Sequence, residues 1–356
     1  MQSSRVLLPG KVSALSRLNR ILKGPQYADA KYFILLDTNC FTHCLPTLVS
    51  RVEALQKAEF LELPEREECK DLEIASQVWQ TLMESGADRN TVVVNLGGGC
   101  ISDLGGFVAA GFKRGIRYIN VPTTLIGMVD AAIGGKTAVN VGGVKNQVGF
   151  FYPPEVVCIE PSFLATLPDR EVQSGWMEML KVQLISGMLM DTNISEQTIS
   201  DCVRFKMDVV KSDPNDHGIR RILNFGHTFG HAVEAYSHRL GHPLLHGEAV
   251  GVGMVCALYL SMQKMGLSSS LYQQVRKVVS EHVELPKYTL RDTETLLEYM
   301  RQDKKNENGE ICCVLLQEPG VPVIDVAVPL IVYTDMLLLK SFLRIPSNKP
   351  LSRDRH

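Results

Sequence analysis

Apolar residues in the first half of the chain come in short runs bounded by polar and glycine positions. YFILLD at 32–37, TVVVNL at 91–96, RYINVP at 117–122 and VVCIE at 156–160 read as strands, and the spacing between them predicts helices near 45–58 and 67–84. Strands alternating with helices argue for a mostly parallel sheet wrapped by helices. From about Asp169 the apolar period becomes helical, over 170–185, 195–211, 224–239, 247–265, 270–282 and 293–300. Two apolar runs at 311–316 and 321–328 predict a late hairpin, followed by a last helix near 332–343 and a polar tail. The change of period divides the chain into an α/β domain over 1–168 and a mainly helical domain over 169–356.

A length of 356 residues exceeds what one core comfortably serves, in keeping with two domains. Hydrophobic residues at 45% and charged residues at 21% are ordinary globular usage. A formal net charge of −2 gives no general attraction to nucleic acid or anionic lipid, so any anion must be held by local clusters. Nine cysteines without a CxxC pair suit reduced thiols in a cytoplasmic protein. The longest apolar run, 249–260, is too short to span a bilayer and reads as a buried helix. The first 28 residues carry Arg5, Lys11, Arg17, Arg20 and Lys23 but no acid, and read as a basic first element rather than a targeting leader.

Two glycine clusters carry candidate chemistry. Gly97, Gly98 and Gly99 follow a strand and precede a helix expected to open near Ile101, with Ser102 and Asp103 as capping candidates. Glycines there let the backbone approach a pyrophosphate favoured by the helix N-terminus, although Ser102 replaces the last glycine of GxGxxG. Asp130, then Gly134-Gly135-Lys136-Thr137 and Gly142-Gly143-Val144-Lys145-Asn146, place two lysines on glycine-rich loops. Point charges and open amides of this kind suit an anionic substrate.

A histidine and glutamate constellation follows. His227 and His231 are four apart in HTFGH and share a helix face, so spacing alone makes them the metal-ligand pair. His242 and His246 come next, and Glu178 precedes Lys181 by three residues in MEMLK. A carboxylate with two imidazoles leaves coordination positions open on a zinc-like ion, as catalytic sites require.

GGGCISDLGGF, KRGIRYINVPTTL, MVDAAIGGKTAVN, VKNQVGFFYPP, FLATLPDRE, SGWMEMLK, LNFGHTFGHAVE and LHGEAV, in this order, make the chain resemble the 3-dehydroquinate synthases of the sugar phosphate cyclase superfamily, from about Asp37 to Lys305. The resemblance implies a Rossmann-like N-terminal domain for NAD and a helical C-terminal domain for a divalent metal, zinc or alternatively cobalt. It implies Glu178, His227 and His246 as metal ligands and moves His231 to an acid/base role. Asp130, Lys136, Asn146, Lys181, Lys206, Arg220 and Asn224 would surround the substrate, with Lys304 or Lys305 closing over it. Arg114 resembles the residue that reaches the phosphate in the neighbouring subunit's site, which implies a homodimer. For NAD the matches are Asp37, Asn39, Glu67, Lys70, Gly98, Gly99, Asp103, Thr123, Thr124, Lys145, Phe163 and Thr166. Pro214, Val182 and Met177 depart from the usual family residues without removing a ligand or a charged contact.

The implied activity is a lyase step of the shikimate pathway, toward chorismate and the aromatic amino acids. 3-Deoxy-D-arabino-heptulosonate 7-phosphate would become 3-dehydroquinate and phosphate, with NAD regenerated. The alternatives are a sister cyclase acting on sedoheptulose 7-phosphate or glucose 6-phosphate, a dehydrogenase of the glycerol dehydrogenase type, and a non-catalytic NAD-binding homologue.

Overall fold

The computed structural model describes residues 4–142, 144–284, 289–301 and 311–327. They fall into two compact units, the first reaching to Leu223 and the second beginning at Asn224, with Pro319–Val321 belonging to the first.

In the first unit β1 (Arg5–Leu7), α1 (Ala14–Leu22), β2 (Tyr32–Leu36), α2 (Thr38–His43), α3 (Leu45–Arg51) and β3 (Glu59–Glu62) are followed by α4 (Leu72–Glu84), β4 (Val92–Gly97), α5 (Gly99–Gly111) and β5 (Arg117–Pro122). A hairpin of β6 (Lys136–Val141) and β7 (Val144–Phe151) precedes β8 (Val156–Cys158), α6 (Asp169–Ser186) and α7 (Glu196–Ser212). The strand order β1-β8-β5-β4-β2-β3 is parallel at each described pairing. Every residue of β2 and β4 is buried, as central parallel strands require. Phe33, Leu35 and Val93 share one core with Leu104, Phe107 and Val108 of α5 and with Ala75, Val78 and Leu82 of α4. Counted from β2, the order is the 2-1-3-4-5 arrangement of doubly wound sheets, so the direction of winding reverses between β2 and β4.

The second unit holds α8 (His227–Arg239), α9 (His246–Met265), α10 (Ser269–His282) and α11 (Leu290–Arg301), with strands β9 (Cys312–Glu318) and β10 (Val321–Ala327) forming the expected late hairpin. α8 and α9 meet backbone to backbone: a Cβ on Gly253 would stand 2.0 Å from the Gly226 carbonyl oxygen and 2.7 Å from the Gly230 nitrogen. No helix among the described residues is long and apolar enough to cross a membrane. All nine cysteines are free thiols.

Several local expectations are corrected. α5 opens at Gly99 behind Gly98, two residues before the expected Ile101, and Ser102 and Asp103 do not cap it. Ser102 is instead buried inside the helix with its hydroxyl donating to the Gly98 carbonyl at 3.2 Å. The helix expected over 45–58 stops at Arg51, and that over 67–84 starts at Leu72 because Asp71 caps it by accepting from the Glu73 N–H at 2.7 Å. The helix expected from 224 begins at His227, after Gly226 with φ of 80°. The basic first element is built into the sheet through β1, which pairs with β8. The loops expected around Lys136 and Asn146 are the β6–β7 hairpin. β7 carries no inside-outside alternation because its whole length is exposed, so its sequence gave no strand period to follow. The expected helix near 332–343 and the polar tail lie outside the described residues.

Candidate functional sites

The expected nucleotide residues gather where strands end. Asp37 follows β2, Gly98 and Gly99 follow β4 and open α5, Thr123 and Thr124 follow β5, and Phe163 and Thr166 sit on the short helix after β8. The carboxyl ends of β2 and β4 flank the point where winding reverses, which is where doubly wound sheets bind ligands. The rim is built mainly from backbone and short side chains. Asp37 caps α2 by accepting from the Cys40 N–H at 2.8 Å, and Asn39 lies in the first turn of that helix. The Thr123 N–H donates to the Gly97 carbonyl at 3.0 Å, and Thr124 Oγ1 accepts from the Gly127 N–H at 3.1 Å. Gly98 brings no side chain to the start of α5, leaving the first amides of that helix as the donors a pyrophosphate would meet.

Beside the rim lies a charged cluster. Buried Lys70 donates to Asp103 at 2.7 Å and to Asn146 Oδ1 at 2.6 Å. Burial alone would lower the Lys70 ammonium, but Asp103 and Glu67 outweigh it and hold the group above its ordinary value. Lys145 lies 3.6 Å from Glu67, whose other oxygen accepts from Asn140 Nδ2 at 2.8 Å. Asn146, at φ of 57°, is fixed by its own N–H donating to Asn140 Oδ1 at 2.9 Å. The structure therefore joins Asn146, expected at the substrate, to Lys70 and Asp103, expected at NAD.

A second cationic group forms where α6 and α7 meet the turn of helix at Gly127–Ala131. Lys206 donates to Asp130 Oδ1 at 2.5 Å, and Glu178 and Lys181 form a fully buried ion pair one helical turn apart on α6. Burial, with Lys181 and Arg220 nearby, lowers Lys206 despite Asp130. At Lys181 burial is outweighed by Glu178 and Asp130, which raise it. Buried Arg220 donates to the Pro214 carbonyl at 2.7 Å and the Gly134 carbonyl at 3.0 Å, and Lys136 pairs with Asp216 at 2.5 Å. Four of the expected substrate cations thus stand within the first unit, together with Asp130.

In the second unit His227, His231 and His246 make a triangle, with ring centroids 5.3, 5.3 and 5.9 Å apart. His227 Nδ1 is 3.2 Å from the Phe225 carbonyl and His246 Nδ1 is 3.0 Å from Glu234 Oε2. The His227 and His246 rings are thus held through Nδ1, which orients Nε2 as the nitrogen that would meet a metal. Glu234 was missed from sequence. It lies seven residues after His227 and three after His231, on the same face of α8, and the helical period could have found it. Asn140 and Asp216 were missed as well, because neither spacing nor motif links Asn140 to Glu67 and Asn146 or Asp216 to Lys136. Asn224 ends the short helix Ile219–Asn224, and Lys304 and Lys305 lie outside the described residues.

Comparison with known proteins agrees with these features. Residues 60–174 match the family model for the 3-dehydroquinate synthase N-terminal region and residues 168–306 that for the C-terminal region. A 3-dehydroquinate synthase of Parabacteroides distasonis is 44% identical over 302 residues, spanning 82% of this chain and 85% of that protein. One of Leptospira interrogans is 39% identical over 276 residues, spanning 74% and 76%. Among solved structures, a 2-deoxy-scyllo-inosose synthase complexed with carbaglucose-6-phosphate, NAD+ and Co2+ superposes with a TM-score of 0.78 at 24% identity, covering 94% of this chain and 95% of that one. A 2-epi-5-epi-valiolone synthase from Streptomyces hygroscopicus subsp. jinggangensis, with NAD+ and Zn2+ bound, gives 0.78 at 26% identity, covering 96% and 97%.

The doubly wound sheet followed by a helical unit is thus the fold of the sugar phosphate cyclase class. Within that class, the chain belongs to the 3-dehydroquinate synthase family.

Proposed function

We propose that the chain converts 3-deoxy-D-arabino-heptulosonate 7-phosphate to 3-dehydroquinate and phosphate, as an NAD- and metal-dependent carbon-oxygen lyase of the cytoplasm. The observation that carries the reading is 44% identity over 82% of the chain to a curated relative of that name. Names of fold relatives that bind NAD+ with Co2+ or Zn2+ support the cofactors.

The residues present fit both groups. Glu178, His227 and His246 offer one carboxylate and two imidazoles, and the Nδ1 anchors at Phe225 and Glu234 are those that ligating histidines keep. The glycine start of α5 and the hydroxyls of Thr123 and Thr124 fit a dinucleotide, in company with Asp37, Asn39, Glu67, Lys70, Gly99, Asp103, Lys145, Phe163 and Thr166. When bound, NAD supplies a hydride acceptor that becomes the donor later in the same turnover, and zinc supplies a Lewis acid for the substrate hydroxyls.

The chain's own side chains supply the rest. Lys136, Lys181, Lys206 and Arg220 pair with the substrate's carboxylate and phosphate, and Asp130, Asn146 and Asn224 orient its hydroxyls. His231 takes the proton of the hydroxyl to be oxidised. Lys304 or Lys305 closes over the substrate. NAD binding belongs to the domain over 1–168, and metal and substrate binding to that over 169–356. Arg114 reaches the phosphate in a partner's site within a homodimer. Exposed Val144, Val148, Phe150 and Phe151 on β7 are apolar surface that a second copy would cover.

The test is incubation with NAD, zinc and the heptulosonate phosphate, following phosphate and carbocycle, beside Glu178→Ala and a sedoheptulose 7-phosphate control. Phosphate release with 3-dehydroquinate, no net NADH, and loss in Glu178→Ala is the expected result. Turnover of sedoheptulose 7-phosphate alone would make the protein a sister cyclase.

A further inference from the structure

Lys113, Arg114 and Gly115 follow one another with φ of 47°, 68° and 110°, the longest left-handed run among the described residues. Two non-glycine residues in that region are strained and persist only where surrounding contacts over-determine them. The Gly115 N–H donates to the Phe112 carbonyl at 2.8 Å and the Ile116 N–H to the Ala109 carbonyl at 3.0 Å. A further clamp is Tyr152. Its hydroxyl donates to the Ile116 carbonyl at 3.1 Å and lies 3.0 Å from where a Cβ on Gly115 would stand, so the phenol packs directly on the strained turn.

The same residue reaches a second turn. The Tyr152 N–H donates to the Gly135 carbonyl at 2.7 Å, next to Gly134, whose carbonyl accepts from Arg220 at 3.0 Å. Gly134 and Gly135 have φ of 100° and 66° and run into Lys136. Tyr152 is itself fixed by stacking on Tyr118, with centroids 5.8 Å apart and planes at 17°, and by the Tyr118 hydroxyl donating to its carbonyl. Burial and nearby Glu155 hold the Tyr152 phenol above its ordinary value, so it remains a donor at neutral pH.

We propose that Tyr152 is a positioning residue: anchored on the Gly134-Gly135 turn, it holds the Lys113-Arg114-Gly115 turn and so sets the direction in which Arg114 reaches for the phosphate in the partner's site. The inference rests on the function proposed above, because it takes Arg114 to be a substrate contact.

Tyr152→Phe keeps the ring, the stack and both backbone bonds and removes only the hydroxyl. Its KM for the heptulosonate phosphate should rise roughly tenfold, while kcat and the Kd for NAD stay within about twofold. In an Arg114→Ala background the substitution should add almost nothing, since it acts through the turn that carries Arg114. A tyrosine that served only the packing would leave KM alone or multiply its effect onto Arg114→Ala, and either result overturns the proposal. If the wild type fails to turn over the heptulosonate, the functional reading falls. Titration with inorganic phosphate then decides the inference by itself, weaker binding in Tyr152→Phe upholding it and equal binding overturning it.

Discussion

At the sheet rim, Asp37, Gly98, Thr123 and Thr124 offer amides, hydroxyls and one capping carboxylate, whereas the α8–α9 face concentrates three imidazoles in one triangle with buried Glu234 against His246. The rim spreads recognition over many weak, backbone-dictated contacts, each set by where a strand stops. The histidine face relies on a few side chains, with His227 and His246 oriented through their Nδ1 atoms. Loss of a rim contact should therefore be partial, and loss at the metal set nearly complete.

Glu178→Ala sharpens that contrast most, with kcat/KM expected to fall by about 10³ or more as the Lewis acid is lost, checked by steady-state assay beside metal analysis. Dialysis of the wild type against a chelator should reproduce the loss, and added zinc should reverse it. Glu234→Gln should weaken metal binding about 10- to 100-fold through misorientation of His246, read by competition with a chelating dye. Gly253→Ala forces a methyl against the Gly226 carbonyl and should lower stability by about 1–3 kcal/mol, seen as a drop in Tm. Asp37→Ala removes a cap bond worth about 1 kcal/mol and should weaken NADH binding a few-fold by fluorescence titration. A loss there as large as in Glu234→Gln would break the comparison.

The smallest effect concerns pH. Burial would raise the Asp213 carboxyl, but the N–H groups of His217, Gly218 and Arg220 outweigh it and hold the group low. The unfolded chain binds this proton more readily, so the contribution is full above the ordinary carboxylate value and is lost as pH falls through the folded one. Asp213→Asn should flatten the acid limb of a Tm-against-pH curve slightly.

The central strands were legible in sequence because unbroken runs such as TVVVNL permit little else, and α6 to α11 because their period is helical throughout. β7 was not legible, since VKNQVGFF lies exposed along its whole length and its partner β6 follows a glycine pair that reads as loop. The candidate site divides in the same way. Residues at strand ends follow from the strands themselves. Spacing named His227 and His231 as the ligand pair and could not bring in His246, which stands on another helix yet as close to His227 as His231 does. The meeting of Lys70 with Asp103 and Asn146 joins positions up to 76 residues apart, which no local pattern encodes.

The close approach of Gly253 to Gly226 has a consequence for how the imidazoles arrive at their spacing. Two helices kept apart by long side chains can slide by a rotamer change, but two that touch through main-chain atoms share a fixed gauge. His227 and His246 stand on opposite sides of that gauge, so their separation is calibrated as the helix pair folds, before any ion arrives. The tolerance of the metal set is therefore written into residues that contribute no chemistry, and a single methyl added to a glycine that holds no ion would throw it out of true.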